Sequence, residues 1–534
     1  MLIMEVNVFR KNISRVSARV AYVYPSLYKA MISSLAPDIV YSMLNSIEEV
    51  YVERFSCSRL YGPEDPPKSL ETGSPLRDFK LILTSLHYEP DIVNLARILL
   101  ASGIGVLSKG REKHVVVAGG PVCIENPVPF SDIIDVCVVG EAEVTLPEIV
   151  NLWLQYGDSK KSFLEAVSQL RYTYVSMYED KRVEKKYVPD LDSAFYPIRQ
   201  VENLLVEPVY GRGFKLEVSR GCPYWCSFCI ETRAFQPYRE RSYTKLVRIV
   251  EEGVVHSVSG KRLVLYSLAF PVSSNNLKLL EYLAHEGFKA SLPSIRLTPL
   301  LLKALDTIKQ LGQRSLTIAP ESFSSIIQRS IFKYPGVLGY VLDSIEELLR
   351  KGFNLKLYIV YGFKGLESSN VISENVTAMN NLLKLAKSLG RRVSITLNPL
   401  VPKPRTIFQY IGMMSREELM SILREYRSKL GSHVDYRAYD VDWAIVQAQL
   451  SLSKEPLGEF IVKWAQQGGG LAGWRRAVRE LDVNFKYVFT GYNIDEELPW
   501  DRIHLGDRVN EVLRAQYEVY KKLSTLSTGL YAIP

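Results

Sequence analysis

Apolar runs of four to eight residues alternate with amphipathic stretches along most of this chain. "RVAYVYP" (residues 19–25), "LILTS" (81–85), "HVVVAGG" (114–120) and "IIDVCVVGE" (133–141) are β-branched runs ended by proline, small or polar residues. "PDIVYSMLNSI" and "IVNLARILLASG" space their apolar positions as helices do, the second stopped at Gly103. Continuous apolar strands alternating with helices predict a parallel sheet covered on both faces. Residues 1–154 are therefore expected to form a Rossmann-like domain. Its glycines do not make G-x-G-x-x-G, so no dinucleotide fingerprint is present.

Residues 155–205 are more polar and predict a helix followed by a small hairpin or linker. Lys160 and Lys161, like Lys185 and Lys186, read there as solvated faces. From 206 to 410 six strand-like runs recur: 214–218, 262–267, 289–293, 315–319, 355–362 and 392–399. Helical stretches such as "TPLLLKALDTIKQLG" separate them. Right-handed crossovers wind such units into a partial, open (βα)6 TIM-like barrel, two units short of a full one. Residues 411–534 predict a helical or mixed region. Its "WAQQGGGLAGWRR" lacks the Gly-Lys-Ser/Thr of a phosphate loop and reads as a turn. The fold class is α/β throughout.

Composition narrows the options only slightly. Hydrophobic residues are 47% and charged residues 23%, as in an ordinary globular protein. The net charge of +8, from 66 basic and 58 acidic residues, leaves a nucleic-acid partner open without arguing for one. No secretion signal or bilayer-length apolar run appears, so a cytoplasmic protein with no membrane partner is expected. Six cysteines are too few for a disulfide scaffold.

Three of those six stand together in "RGCPYWCSFC": Cys222, Cys226 and Cys229, spaced C-x3-C-x2-C. They follow the first barrel strand, where βα loops carry active sites. Thiolates select zinc, copper(I) or iron–sulfur clusters. A structural zinc site wants four closed ligands, and no cysteine follows Cys229. A [4Fe-4S] cluster with one iron left open fits the triplet better. A non-catalytic electron carrier or sensor and a zinc module are the alternatives from other classes.

The triplet in this setting resembles the radical S-adenosylmethionine (SAM) superfamily. The resemblance implies that the open iron chelates SAM. An electron from a reductase or other low-potential donor then cleaves SAM to a 5′-deoxyadenosyl radical, which abstracts hydrogen from an unknown substrate, a protein, peptide or RNA. It further implies cofactor-binding roles for Phe228 near the adenine and Glu321 ("TIAPES") near the ribose. Ser294 and Arg296 ("LPSIR") fall to the carboxylate. The usual Gly-Gly-Glu after the second strand is replaced by "LYSLAF", which puts Ser267 by the methionine amine. "VYGFKGLE" resembles the G-x-P-G-E-type turn after the fifth strand, with Lys364 in place of proline. "VVVAGGP…FSDIIDVCVVGEAE" resembles the cobalamin-binding-type domain that precedes the barrel in many members. That domain often carries Asp-x-His-x-x-Gly; "LHYEPD" around His87 does not match it, so cobalamin stays an open cofactor and cobalamin-dependent methyl transfer the runner-up. "LVPKPRTIFQ" is similar to methylthiotransferases, but Cys57, Cys123 and Cys137 do not repeat their second cluster pattern. Cys137 reads as a buried small hydrophobe and Cys123 as a loop cysteine.

Overall fold

The computed structural model describes residues 4–178, 181–431, 434 and 436–527. The N-terminal unit is built on β1 (Ala18–Leu27), α1 (Ala36–Asn45), β2 (Val50–Cys57), β3 (Leu81–Ser85), α2 (Asp91–Ala101), β4 (Val115–Gly119), α3 (Pro121–Glu125), β5 (Val136–Val138), α4 (Ala142–Tyr156) and β6 (Thr173–Tyr174). The sheet order is β2-β1-β3-β4-β5-β6, parallel except for the β5–β6 pair. Alternate strand residues feed two separate cores. Val20, Tyr22, Leu83, Val117 and Val138 face α1 and α4, while Ala21, Ile82, Val116 and Ala118 face α2. Strands buried on both faces need apolar residues at every position, which is the run pattern that betrayed them.

β2 was not legible in that way. Its "VYVERFSC" interrupts the apolar run with Glu53 and Arg54, yet both are buried. Each charge is matched: Glu53 to Arg19, Ser69 and Thr72, and Arg54 to Glu5 and Glu71 at 2.6 and 2.7 Å. A buried charge survives only with such partners.

The polar segment holds the expected helix, Lys160–Ser168, and among the described residues the two short strands after it do not pair with each other. Thr173–Tyr174 joins the N-terminal sheet instead, and Val183–Glu184 pairs in parallel with Ile503–His504. Lys160 and Lys185 are not solvated. Lys160 pairs with Asp135 at 2.6 Å, and Lys185 is walled in against the Gln236 carbonyl at 2.5 Å.

The barrel strands are β7 (Phe214–Glu217), β8 (Arg262–Tyr266), β9 (Lys289–Ser291), β10 (Ser315–Glu321), β11 (Asn354–Tyr361) and β12 (Val393–Pro399). All six predicted runs are strands. A seventh, β13 (Tyr436–Ala438), extends the parallel sheet beyond β12 into the stretch expected to be helical or mixed. β7-β8-β9 and β10-β11-β12-β13 form two sheets, bridged between Ile295 and Ile318. Along β11 and β12 every second residue is buried beneath the helices, and the others, such as Lys356, Tyr358, Thr396 and Asn398, are half-buried on the opposite face. That alternation is what one covered and one open face demand.

The C-terminal region folds back over both units. Phe460, Trp464 and Trp474 share a core with Ile92 and Leu95 of α2. The triple glycine is a turn, as expected, with φ of +89° and +71° at Gly468 and Gly469. The last helix, α5 (Asp507–Ser527), reaches the cysteine loop. Among the described residues no helix is long and apolar enough to cross a membrane.

Candidate active site

The cysteine loop leaves the barrel through Gly221. Its φ is +81°, and a Cβ there would lie 2.5 Å from the Phe235 carbonyl, so only glycine closes this turn. Beyond it, side chains hold all three cysteine carbonyls. Gln236 donates to Cys222 O at 2.8 Å, and Arg233 donates to Cys226 O at 3.0 Å and Cys229 O at 2.8 Å. Arg233 is fully buried and fixed in turn by Gln516 of α5 at 2.7 Å. Gln516 also donates to the Trp225 carbonyl at 2.5 Å. The backbone is thereby tied down while the thiols keep no hydrogen bond to these side chains.

Those thiols are shielded. Burial pushes the Cys229 thiol up to about 12, helped by the charges of Cys226 and Glu231; the Thr232 amide acts the other way. Burial also raises Cys222, opposed by the Tyr224 amide, Arg296 and Lys333. Among the described residues no three His, Cys, Asp or Glu side chains close on a single-ion site. A cluster instead spreads thiolate ligands over several irons, and soft donors supported by amides and cations suit it. Cys222, Cys226 and Cys229 are thus a donor set that fits a [4Fe-4S] cluster, each thiol losing its proton on ligation.

Three of the five cofactor-binding expectations converge on this loop. Arg296 is sandwiched between Tyr224 and Tyr334, 3.6 and 4.7 Å from the ring centroids, and donates to the Lys333 carbonyl. Glu321 ends β10 in the left-handed region, φ +65°, and pairs with Lys333 at 2.6 Å. Such a backbone costs about 1–3 kcal/mol in a non-glycine residue and persists where the surroundings fix it. Lys333 lies 6.0 Å from the Phe228 ring centroid. Burial opposes the Lys333 charge, but Glu321 and Cys226 outweigh it and hold the ammonium above its ordinary range. The other two expectations do not join this group. Ser294 is exposed and makes no hydrogen bond among the described residues. Ser267 is engaged by Ser219 and the Ala269 carbonyl and faces a different space.

That space is a cavity of about 460 Å³. It lies between the C-terminal ends of β1, β3, β4 and β5 and the first two barrel strands, and runs between the sheet and α1 and α4. Its wall is largely apolar (Ile39, Val40, Leu83, Val117, Val138, Leu146), with His87, Lys185 and Glu231 among its polar members. Burial lowers Lys185 to about 7. A buried ion network seals one side. Arg220 binds Glu141, Glu143 and Glu217 at 2.7–2.9 Å, Arg239 binds Glu141, and Arg241 binds Glu217. Arg220 stands two residues before Cys222, so the network ties the cysteine loop to the N-terminal unit.

Next to the cavity, Lys403 from the loop after β12 is surrounded by carboxylates. It bonds Glu89, lies 3.5 Å from Glu125, and feels the charge of Glu231. Burial pushes Glu125 up to about 8 against the pull of Lys403, and also raises Glu231. Cys137 is buried as expected, whereas Cys123 lies not in a loop but in α3, its Sγ 3.3 Å from that of Cys137.

An open parallel barrel with three thiols at its C-terminal edge, behind a doubly covered Rossmann-like sheet, defines an iron–sulfur barrel enzyme. Two family profiles match the chain. One, described as radical SAM proteins, N-terminal, covers residues 36–176, and the other, the radical SAM superfamily, covers 216–371. The chain belongs to the radical SAM superfamily and is an enzyme of that class, whose members work with a [4Fe-4S] cluster and SAM. It is 28% identical over 444 residues to an uncharacterized protein of Methanocaldococcus jannaschii, covering 83% of this chain and 90% of that one. Among solved structures it is similar to the radical SAM methyltransferase TsrM from Kitasatospora setae. The identity is 14%, the TM-score 0.48, and the match covers 87% of this chain and 100% of that one. It is also similar to the cobalamin-dependent SAM radical enzyme OxsB, at 11% identity and a TM-score of 0.47, covering 96% and 80%.

Proposed function

We propose that Cys222, Cys226 and Cys229 hold the cluster and that Phe228, Arg296, Glu321 and Lys333 border SAM beside it. The single observation behind this reading is that the Arg296 and Lys333 cations act on the cysteine thiols, while Lys333 in turn meets Glu321 and the Phe228 ring. When bound, cluster and SAM supply a 5′-deoxyadenosyl radical that takes hydrogen from the substrate. The protein's own work is to bind, orient and exclude water. Arg296 and Lys333 give two buried or half-buried cations for a carboxylate. Glu321 offers acceptor oxygens for hydroxyls, and Phe228 an apolar face for a flat base. Arg233, Gln236 and Gln516 keep the loop fixed while this happens.

A second reading is favoured by the 460 Å³ cavity. Its apolar slot between the sheet and α1 and α4 suits the planar base of a corrinoid tail, and its wider end opens toward Glu231 and the cysteine loop. On this reading the reaction is methyl transfer, with cobalamin held against the N-terminal sheet. The substrate, whether a protein, peptide, RNA or small molecule, reaches the cavity where it borders the barrel.

The test is anaerobic reconstitution with iron and sulfide, followed by SAM and dithionite. Formation of 5′-deoxyadenosine, and a change in the reduced cluster's EPR signal on adding SAM, are the expected results. An intact cluster whose spectrum ignores SAM would assign the protein to electron transfer or sensing instead. Retention of hydroxocobalamin after desalting separates the two catalytic readings.

A further inference from the structure

The inner face of the barrel is divided in two. On β7 and β8, Phe214, Leu216, Leu263 and Leu265 pack under the helices, and Lys215, Glu217 and Tyr266 alternate with them on the inner side. Lys215 pairs with Asp38 and donates to the Ile32 and Ser34 carbonyls at 2.9 and 3.1 Å. Tyr266 donates to the Ser33 carbonyl, and Arg220 and Arg241 hold Glu217. In this half the N-terminal unit and its ion network engage each of these polar side chains.

The half made by β10 to β13 is different. Its inner residues alternate with Leu316, Leu357, Ile395 and Leu397, which pack under the helices. Strand register sets them in two rows, Thr317–Lys356–Ser394 and Tyr358–Thr396–Arg437. Neighbours within a row are about 4.8 Å apart, and the rows lie about 6.6 Å apart along the strands. Arg437 is exposed and the other five are half-buried. Among the described residues none of these side chains makes a hydrogen bond or ion pair; the Lys356 ammonium stands 5.0 Å from the Tyr358 ring centroid. Neither row contains a carboxylate. The face thus presents two uncompensated cations and four idle hydroxyls, where the first half leaves none of its three inner polar side chains unpaired.

Two cations without a carboxylate call for an anion. A phosphate monoester brings nearly two charges and three strong acceptor oxygens, more than a carboxylate offers. By strand geometry the Cα atoms of Lys356 and Arg437 are about 12 Å apart, a span that their long side chains close around a phosphate from either end. The face also runs up β10 to Glu321, which pairs with Lys333 beside the cysteine loop.

We propose that this inner face binds a phosphate-bearing substrate: Lys356 and Arg437 hold the phosphate, and the hydroxyls of Thr317, Tyr358, Ser394 and Thr396 take its polar body. The proposal rests on the cluster-and-SAM reading above, which puts the radical at the top of the same strands. The phosphate belongs either to an RNA backbone or to a soluble phosphorylated compound.

The experiment uses the full-length protein with its cluster reconstituted and SAM in excess, so that the SAM site is filled. Lysines are acetylated with sulfo-N-hydroxysuccinimide acetate, and labelling of Lys356 is read by mass spectrometry. Inorganic phosphate in excess should cut that labelling by more than half, and sodium chloride of equal ionic strength should leave it unchanged. Arg437→Met should lose the protection while Lys356 still reacts. Oligouridylate is compared with phosphate: protection at far lower concentration identifies RNA as the source, and protection no better than phosphate identifies a soluble compound. Equal labelling of the parent with chloride, phosphate and oligouridylate, or protection that survives Arg437→Met, would overturn the proposal and leave the SAM reading standing. A reduced cluster whose EPR signal ignores SAM would overturn that reading, and the proposal with it. The footprint of the parent needs no variant, so its outcome does not hang on how Arg437→Met folds.

Discussion

Replacing Glu125 with Gln should make the protein more stable at alkaline pH, although Glu125 touches a lysine. The carboxyl is buried at the end of α3, and burial pushes it from 4.5 up to about 8 despite Lys403. A carboxyl whose folded pKa is raised stabilises the fold fully below its unfolded value. That contribution is lost as pH rises through the folded one. Each pH unit in the interval costs about 1.4 kcal/mol, so ~4 kcal/mol is lost between about pH 5 and about pH 8.5. Gln is neutral at both, close in shape to the protonated acid, and escapes the loss. Denaturant unfolding of the parent and Glu125→Gln at those two pH values measures it. The gap in favour of the variant should widen by up to ~4 kcal/mol on going to the higher pH. An equal gap at both, or one moving the other way, would show that Glu125 is an ordinary ionised partner of Lys403 and that the reasoning is wrong.

Lys403→Met should do the opposite. It strips the cation that acts on Glu89, Glu125 and Glu231, and breaking a buried pair costs about 3–5 kcal/mol; Glu89→Gln in the same background should recover part of it. Cys226→Ser should leave helix content unchanged by circular dichroism while iron and sulfide fall to background, since a hydroxyl is a poor substitute for a soft thiolate. Lys333→Met should weaken SAM binding to the cluster-loaded protein about tenfold or more, the loss of ~1.4 kcal/mol or more expected for one charge-assisted contact. Equilibrium dialysis reads this, and unchanged affinity would remove Lys333 from the site.

Local rules made the scaffold and the cluster ligands legible. Short runs with an apolar residue at least at every second position made every strand from β7 to β12 legible, because each barrel strand buries one face beneath the helices. The cysteine triplet was visible because its three donors sit within eight residues on one loop. Where burial depends on a distant partner, the same reading failed. Glu53 and Arg54 masked β2, since their compensation comes from Glu5, Arg19 and Glu71. Lys185 looked solvated because nothing in "EKKY" announces that the Gln236 carbonyl will cover it.

The sequence alone therefore determined the class of chemistry: three soft ligands after a barrel strand, with a Rossmann-like unit ahead of them. Only the tertiary structure decided what surrounds those ligands. Lys333 reaches Glu321 and Phe228 from beyond a left-handed residue at Phe332, and Gln516 braces Arg233 from 283 positions away. His87 faces a cavity whose opposite wall belongs to the barrel. Side chains so far apart along the chain carry no local signature. Their meeting is fixed by the packing of two sheets and a returning helix.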